Sequence, residues 1–207
     1  MANAWMVRAE RNGRLYDVFK DQNVVAIGWH EIGDLSNLCS RQAILAKVRE
    51  QWPEISLQSA AMAAGQLHRF RSEMKVGDTV VTYDPGRRVY LVGKIVGEYE
   101  RDPSIDEEDP NIRRVAWEGE VSRDLLSLTS RNSLGAISTI FLLSKDVVED
   151  LRRAMTSHQP SPEAAPGAEL QVEEDVLKDI QSKALEFIKD RVSALGWAEM
   201  QDLVAGL

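Results

Sequence analysis

Short apolar runs alternate along the chain with longer stretches of helical periodicity, and this alternation predicts a mixed α and β fold. Runs rich in β-branched and aromatic residues predict strands at 5–10, 15–19, 24–29, 79–83, 89–96 and 112–121. Apolar positions three or four residues apart predict helices at 40–51, 56–74 and 144–155. The order β-β-β-α-α-β-β-β-α indicates an α+β domain in which helices cover a curled mixed sheet.

Two predicted hairpins shape this sheet. Asn12 and Gly13 form the turn of the first hairpin, because an Asn-Gly pair favours a tight two-residue turn. The second hairpin spans 74–100, and Gly93 and Gly97 interrupt its return strand. A glycine inside a strand indicates a bulge or a close backbone approach. In a small barrel such glycines let a strand bend around a corner.

Composition divides the 207 residues into three parts. Residues 1–156 carry the predicted strands and helices and should form one domain. Residues 157–171 contain three of the seven prolines, together with Ala, Ser and Gly, which is a linker composition. Residues 172–207 become helical and acidic. We therefore predict a domain, a Pro/Ala-rich linker and a C-terminal helical segment.

The net charge of −8 is distributed unevenly. Residues 1–158 carry 21 Lys and Arg against 23 Asp and Glu, and residues 98–109 hold seven of those acids with one arginine. Without that acidic stretch, the charge of the first part is +4. The predicted domain can therefore present a basic face to a nucleic acid although the whole chain is acidic.

Several function classes lack their sequence signals. Cys39 is the only cysteine, so no disulfide can form within the chain, and no Cys/His cluster has metal-ligand spacing. No apolar run approaches the roughly 20 residues of a membrane span, and the first residues do not resemble a secretory signal. The chain has no G-x-x-x-x-G-K-[ST] loop and no H-E-x-x-H motif. We expect a cytoplasmic protein with no membrane partner and no cofactor in this chain.

Four motifs, in order, resemble the EVE branch of the PUA-like superfamily. They are W-M-V-R-A-E at 5–10, G-W at 28–29, M-K-V-G-D-T-V-V at 74–81 and V-G-K-I-V at 92–96. Members of this branch are small β-barrel modules that bind modified bases in DNA or RNA. The resemblance implies a PUA-like, EVE-type curled mixed β-barrel with flanking helices over residues 1–156.

The resemblance also implies a binding site for an extruded base, which needs flat stacking surfaces and polar groups at its edge. The implied base-binding residues are four aromatic side chains and two acids that could accept from a base amino group: Trp5, Trp29, Tyr83, Trp117, Glu10 and Asp34. The implied phosphate-binding residues are Arg8, Arg69, Arg87, Arg88, Arg113 and Arg114. Taken singly, each of these residues also fits a core, capping or surface role.

The end of the chain carries a second resemblance. Residues 183–188 and 199–207 resemble the opening of an Mrr-type restriction endonuclease domain. This implies that 172–207 is the helical start of such a domain, and that its catalytic Asp and Glu-x-Lys would lie beyond Leu207. A divalent metal such as Mg²⁺ would belong to that further part, so we expect this chain to cut no DNA.

A base-reading module ahead of a nuclease is the layout of modification-dependent restriction enzymes, which act in defence. We therefore predict a DNA-recognition module that binds double-stranded DNA and flips a methylcytosine-type base into an aromatic pocket. Two alternatives remain open on the sequence: an RNA-binding PUA-like module, and a protein–protein or oligomerisation domain with the C-terminal segment as its partner helix. A homodimer is compatible with each of these hypotheses.

Overall fold

The computed structural model describes residues 2–136, 138–157 and 159. Strands and helices alternate through this part of the chain, and short 3-10 turns occupy Arg11–Gly13, His30–Ile32 and Arg123–Leu125. The strands are β1 (Ala4–Val7), β2 (Val24–Ile27), β3 (Thr79–Asp84), β4 (Val89–Arg101), β5 (Asn111–Ser122) and β6 (Ile140–Leu142). The helices are α1 (Tyr16–Gln22), α2 (Arg41–Gln51), α3 (Leu57–His68), which a π-helical turn (Arg69–Glu73) extends, α4 (Leu128–Leu134) and α5 (Lys145–Ser157).

The strands of the described residues form one six-stranded sheet in the order β2-β5-β4-β3-β1-β6. β1 runs parallel to β3, with Met6 opposite Val81, and antiparallel to β6, with Met6 opposite Phe141. The other neighbouring pairs are antiparallel. The predicted α+β class, with a mixed sheet and flanking helices, is therefore confirmed.

The two glycines of β4 coincide with bends in the sheet, as the sequence predicts. The pairing of β4 with β5 shifts between Val92 and Gly93, and again between Ile95 and Tyr99, around Gly97. Such bulges increase the local twist of a strand. The sheet curls far enough for β1 to contact β2, although these strands are not neighbours in the sheet order. In the described residues hydrogen bonds do not close the sheet, so β2 and β6 remain its edges.

Serine side chains set the starts of α2 and α3, two of the helices that cover the sheet. Ser40 Oγ accepts from the Ala43 N–H at 3.1 Å at the start of α2. Ser56 Oγ accepts from the Ser59 N–H at 3.1 Å at the start of α3. Each bond satisfies a backbone donor that has no partner within its helix.

The second predicted strand is wrong, because its residues begin α1. Leu15, Tyr16 and Phe19 are all buried, and their spacing places them on one side of a helix, whereas a strand would send neighbours to opposite faces. Asn12 and Gly13 have positive φ angles in a 3-10 turn that precedes the helix. This turn leads the chain out of the sheet, so the Asn-Gly pair does not form the predicted hairpin.

The hydrophobic core occupies both faces of the sheet. Trp5 and Val7 pack on one face with residues of α1, α2 and α3, while Met6 packs on the other face with residues of α4 and α5. Because helices cover both faces, β1 is buried along its length and reads as a continuous apolar run.

The predicted linker and the C-terminal helical segment lie outside the described residues, apart from Ser157 and Gln159. The described part contains no helix that is long and apolar enough to cross a membrane. Within it, no group of three or more His, Cys, Asp or Glu side chains could hold a metal ion.

Candidate functional site

Two of the residues implied as base-binding, Glu10 and Trp29, stand just beyond the ends of β1 and β2 in unfavourable backbone conformations. Glu10 has φ 60° and ψ −173°, a region that is essentially restricted to glycine. Trp29 has φ 64° and ψ 41°, which is unusual for a bulky side chain. Each such conformation costs on the order of 1–3 kcal/mol and is found most often at binding sites. The ends of β1 and β2 therefore carry the kind of strained residues that cluster at binding sites.

A cavity of about 470 Å³ opens at the end of β1, and we call it the strand-end cavity. It is lined by Arg8, Glu10, Arg11, Asn12, Gly135 and Thr139. In the described part of the chain, the Glu10 carboxylate forms no hydrogen bond and no ion pair. A cavity of this size falls within the range of small-ligand sites, which is about 300–1,000 Å³.

Arginine side chains provide the positive charge of this cavity. Arg8 donates from Nε to the Ala136 carbonyl oxygen at 3.1 Å and also from Nη2 to the same oxygen. Among the described residues neither Arg8 nor Arg11 forms an ion pair with a carboxylate. The cavity thus brings together one free carboxylate and two guanidinium groups, which suits a ligand that offers both donor groups and a negative charge.

The acidic loop between β4 and β5 places Asp109 near the ends of β1 and β2. Its Asp109 has a side chain that is only 3% exposed and accepts from Arg14 Nη2 at 2.6 Å. A Cβ at Gly28, next to Trp29, would lie 3.2 Å from Asp109 Oδ1. Burial and, secondly, the nearby Glu10 carboxylate raise the pKa of Asp109 to about 6. Asp109 therefore lies close to both Glu10 and the backbone beside Trp29.

A buried polar network holds the loop that carries Trp29. Asn111 Nδ2 donates to the Gly28 carbonyl oxygen at 2.7 Å, and Tyr99 Oη donates to Asn111 Oδ1 at 2.7 Å. The Leu35 N–H in turn donates to Tyr99 Oη at 3.1 Å. Because the network binds the backbone before and after Trp29, it fixes the loop at both ends and supports the strained conformation of the tryptophan.

Asp34, another residue implied as base-binding, lies on this loop and is exposed. Its Oδ1 accepts from the Ser36 hydroxyl at 2.7 Å and from the Ser36 N–H at 2.9 Å. These two bonds, with the hydroxyl as the main cause, lower the pKa of Asp34. The carboxylate is therefore engaged in its own turn and does not line the strand-end cavity.

The other three aromatic candidates do not line the strand-end cavity. Trp5 is 1% exposed, and its Nε1 donates to Asp78 Oδ2 at 2.9 Å, so it is a core residue and the base-binding role implied for it is corrected. Tyr83 stacks on Tyr90 with 4.4 Å between the ring centroids. Trp5 is therefore closed off in the core, and Tyr83 already has Tyr90 as its stacking partner, level with Arg8 in the register of β1 and β3.

The Trp117 ring packs directly on Gly93 of β4, where a larger residue would not fit. Its Nε1 donates to the Phe19 carbonyl oxygen at 2.8 Å, and a Cβ at Gly93 would lie 2.7 Å from its ring. The ring is partly buried against the core. Trp117 therefore packs on a glycine within the sheet, and none of the four aromatic candidates lines the strand-end cavity.

Arg113 cannot contact a phosphate, and the role implied for it is corrected. The residue is 0% exposed, and its guanidinium donates to the carbonyl oxygens of Phe70 at 2.7 Å, Arg71 at 2.9 Å and Gly97 at 3.1 Å. It therefore fastens the π-helical turn after α3 to β4. The sequence contained the signal, because neighbours in a strand point to opposite faces and one of two adjacent arginines must face inward.

Three of the remaining phosphate candidates already have carboxylate partners. Arg87 pairs with Asp17, and Arg88 pairs with Asp124. Arg114 lies 3.5 Å from both Glu100 and Asp102. Exposed pairs of this kind contribute about 0–1 kcal/mol and can exchange partners. They nevertheless neutralise the positive charge that a phosphate would need.

The unpaired arginines are the stronger phosphate candidates. Arg8 and Arg69 have no carboxylate partner in the described residues, and Arg11 and Arg41 share this property although the sequence did not single them out. They differ from Arg87, Arg88 and Arg114 in having no ion-paired carboxylate among the described residues, which the order of residues along the chain does not reveal.

The titration of Asp109 gives a prediction on stability. Because the pKa of about 6 exceeds the ordinary 3.8, the folded protein binds a proton that the unfolded chain has released, and stability falls as the pH rises from about 4 to about 6. We expect Asp109→Asn to remove most of this fall and to raise the free energy of unfolding at pH 7 by about 1–2 kcal/mol. Urea unfolding at several pH values between 4 and 7 would measure it.

Glu107→Gln is the matched control, since Glu107 is an exposed acid of the same loop. It should leave the pH dependence as in the parent protein. If the free energy of unfolding of Asp109→Asn fell with pH as steeply as that of the parent protein, the titrating group would be a residue other than Asp109.

A family model described as "Domain of unknown function (DUF8426)" matches residues 5–144. No curated protein sequence matches the chain. Among solved structures, the chain is similar to protein Atu2648 from Agrobacterium tumefaciens, with 13% identity and a TM-score of 0.37 over 80% of this chain and 99% of that one. It is also similar to a hypothetical protein from Leishmania major, with 12% identity and a TM-score of 0.38 over 77% and 98% of the two chains.

Proposed function

The chain belongs to the family described as a domain of unknown function (DUF8426), and for this member we propose that the described domain reads a modified base in double-stranded DNA. In this proposal it is the recognition module of a modification-dependent restriction endonuclease. The finer fold assignment, an EVE-type PUA-like barrel, belongs to the same proposal. The curl that brings β1 into contact with β2 supports it.

The observation that carries the proposal is the state of Glu10. A side chain is held in a backbone conformation that favours glycine, at the rim of an open cavity, with a carboxylate that has no partner among the described residues. Strain of this kind persists only where the surrounding structure enforces it. A purely structural role would be filled better by glycine, so a ligand-binding role for the carboxylate explains why glutamate occupies the position.

The chemistry of the cavity fits a nucleotide. A carboxylate accepts from the exocyclic amino group of cytosine, while Arg8 and Arg11 can bind phosphate oxygens. In this proposal Trp29, which follows Gly28 beside Asp109, supplies a stacking surface for the base. Extruding a base from a duplex costs a few kcal/mol, and stacking contributes about 1–3 kcal/mol per base. Recognition then depends on a few groups at the strand ends, with Trp29 as the proposed stacking surface.

A binding titration tests the proposal on two duplexes that differ only in one 5-methylcytosine, with an RNA duplex of the same sequence as a third arm. The parent protein should bind the methylated DNA more tightly. Glu10→Gln and Trp29→Ala should each weaken binding of the methylated duplex by about 1–3 kcal/mol, or roughly 5- to 150-fold, and reduce the ratio of the two DNA affinities.

Glu31→Gln is the matched control, because Glu31 is an exposed acid two residues after Trp29 that does not line the cavity. It should leave the ratio unchanged. Glu10→Gly adds a second readout. It should relieve backbone strain and raise the free energy of unfolding by about 1 kcal/mol, while the preference for the methylated duplex is still lost. Equal affinities of the parent protein for both DNA duplexes would refute base reading, and tighter binding of RNA would favour an RNA-binding module.

A further inference from the structure

A groove of about 380 Å³ runs along one side of α3. Gln58, the adjacent pair Ala61 and Met62, then Gly65 and Arg69 line it in steps of three or four residues, so they share one face of the helix and of the turn that extends it. Arg41 of α2 lies across this face, and its Nη2 donates to the Ala61 carbonyl oxygen at 3.3 Å. Ala61 and Gly65 have small side chains, so this face leaves room for an extended polymer to lie along the helix.

The charge of this groove is positive and uncompensated. In the part of the chain that the structure describes, neither Arg41 nor Arg69 forms an ion pair. Arg41 is exposed, and its Nη2 would lie 3.6 Å from a Cβ at Gly65, so the guanidinium extends over the helix backbone. A guanidinium has five N–H donors in a planar fork, and most of those in this groove remain available for phosphate oxygens.

The groove is adjacent to the strand-end cavity. Buried Gln66 of α3 donates to Ser138 Oγ and accepts from the Ile140 N–H at 2.9 Å. Ser138 lines the groove, while the next residue, Thr139, lines the strand-end cavity and accepts through its carbonyl oxygen from the Arg8 N–H at 3.0 Å. The groove and the strand-end cavity therefore meet at Ser138 and Thr139, which are consecutive in the chain.

From this juxtaposition we infer that the groove binds the DNA backbone beside the base that enters the strand-end cavity. The inference rests on the proposed function and names its second contact surface. Arg8 and Arg11 hold phosphates on one side of the extruded nucleotide, and Arg41 and Arg69 hold phosphates on the other. Contacts to phosphate position the duplex and carry no information on the base.

The test measures DNA affinity against salt concentration for the full chain and for Arg41→Ala/Arg69→Ala. Each lost phosphate contact should reduce the slope of log K against log salt by about 0.9, so the double variant should lose about 1.8. The affinities for methylated and unmethylated duplexes should fall by the same factor. Arg41→Lys/Arg69→Lys, which retains the charge, should keep most of the slope.

Arg49→Ala/Arg152→Ala is the matched control, because these two arginines are exposed and line neither the groove nor the strand-end cavity. It removes the same charge and should leave the slope near that of the parent protein. The proposal that the groove binds phosphates would be refuted by an unchanged slope in the folded Arg41→Ala/Arg69→Ala variant. An equal loss of slope in the control variant would refute it as well. Since the slope is read on unmethylated DNA, its result is independent of whether the parent protein prefers the methylated base.

Discussion

Replacing Arg113 with alanine should lower the free energy of unfolding by about 3–5 kcal/mol. The change removes three hydrogen bonds from a fully buried guanidinium and leaves the carbonyl oxygens of Phe70, Arg71 and Gly97 without it. It also opens a void, since Arg113 is among the largest fully buried side chains in the described residues. Urea denaturation followed by circular dichroism would measure the loss.

Arg114→Ala is the matched control, with the same residue type one position along β5. Its side chain is 39% exposed and its carboxylate partners lie at 3.5 Å, so the change should stay within about 0.5 kcal/mol. Arg113→Lys should lie between the two, because an ammonium cannot reach three carbonyl oxygens with the geometry of a guanidinium. Unaltered stability of Arg113→Ala together with weaker DNA binding would restore the phosphate-binding role.

Replacing Trp5 with alanine should destabilise the domain by a similar amount, about 3–5 kcal/mol. The indole is packed in the core on one face of the sheet, and its Nε1 donates to Asp78, which also accepts from the N–H groups of Asn3 and Lys75. Trp5→Phe keeps much of the packing and loses the hydrogen bond, so we expect a loss of about 1–2 kcal/mol. Thermal unfolding monitored at several protein concentrations would separate the two variants.

Trp29→Ala provides the comparison for this prediction, because Trp29 is half-buried and stands in a strained conformation. Its effect on stability should be clearly smaller than that of Trp5→Ala, and its effect on binding larger. If Trp5→Ala kept the parent stability and lost the preference for methylated DNA, Trp5 would belong to a reader pocket and the packing described above would be incorrect.

Local signals in the sequence predict much of the fold. Ser56 caps α3 because a hydroxyl at the start of a helix satisfies a free N–H. Gly93 and Gly97 bend β4 because only a glycine admits such close backbone contacts there. The strand predicted at 15–19 failed because three buried residues within five positions fit a helix as well as a short strand, and only tertiary packing decides between them.

The candidate site was less predictable, because its properties arise from partners that are distant in the chain. Glu10 and Trp29 were implied by motifs, but their backbone strain became visible only in three dimensions. Whether an arginine is available to a phosphate depends on where acids lie: Arg87 is neutralised by Asp17, whereas Arg41 is not neutralised by any described residue. A list of charged residues cannot make this distinction.

The position of β1 in the sheet also has a consequence for synthesis on the ribosome. Of the described strands β1 is made first, yet its hydrogen-bonding neighbours are β3, at Thr79–Asp84, and β6, at Ile140–Leu142. At about 5–20 residues per second, β1 waits about 7–27 s before its second partner has been translated. Until then its polar backbone groups and apolar side chains are open to pairing with other chains. The nascent chain should therefore depend on chaperones most strongly before β6 emerges.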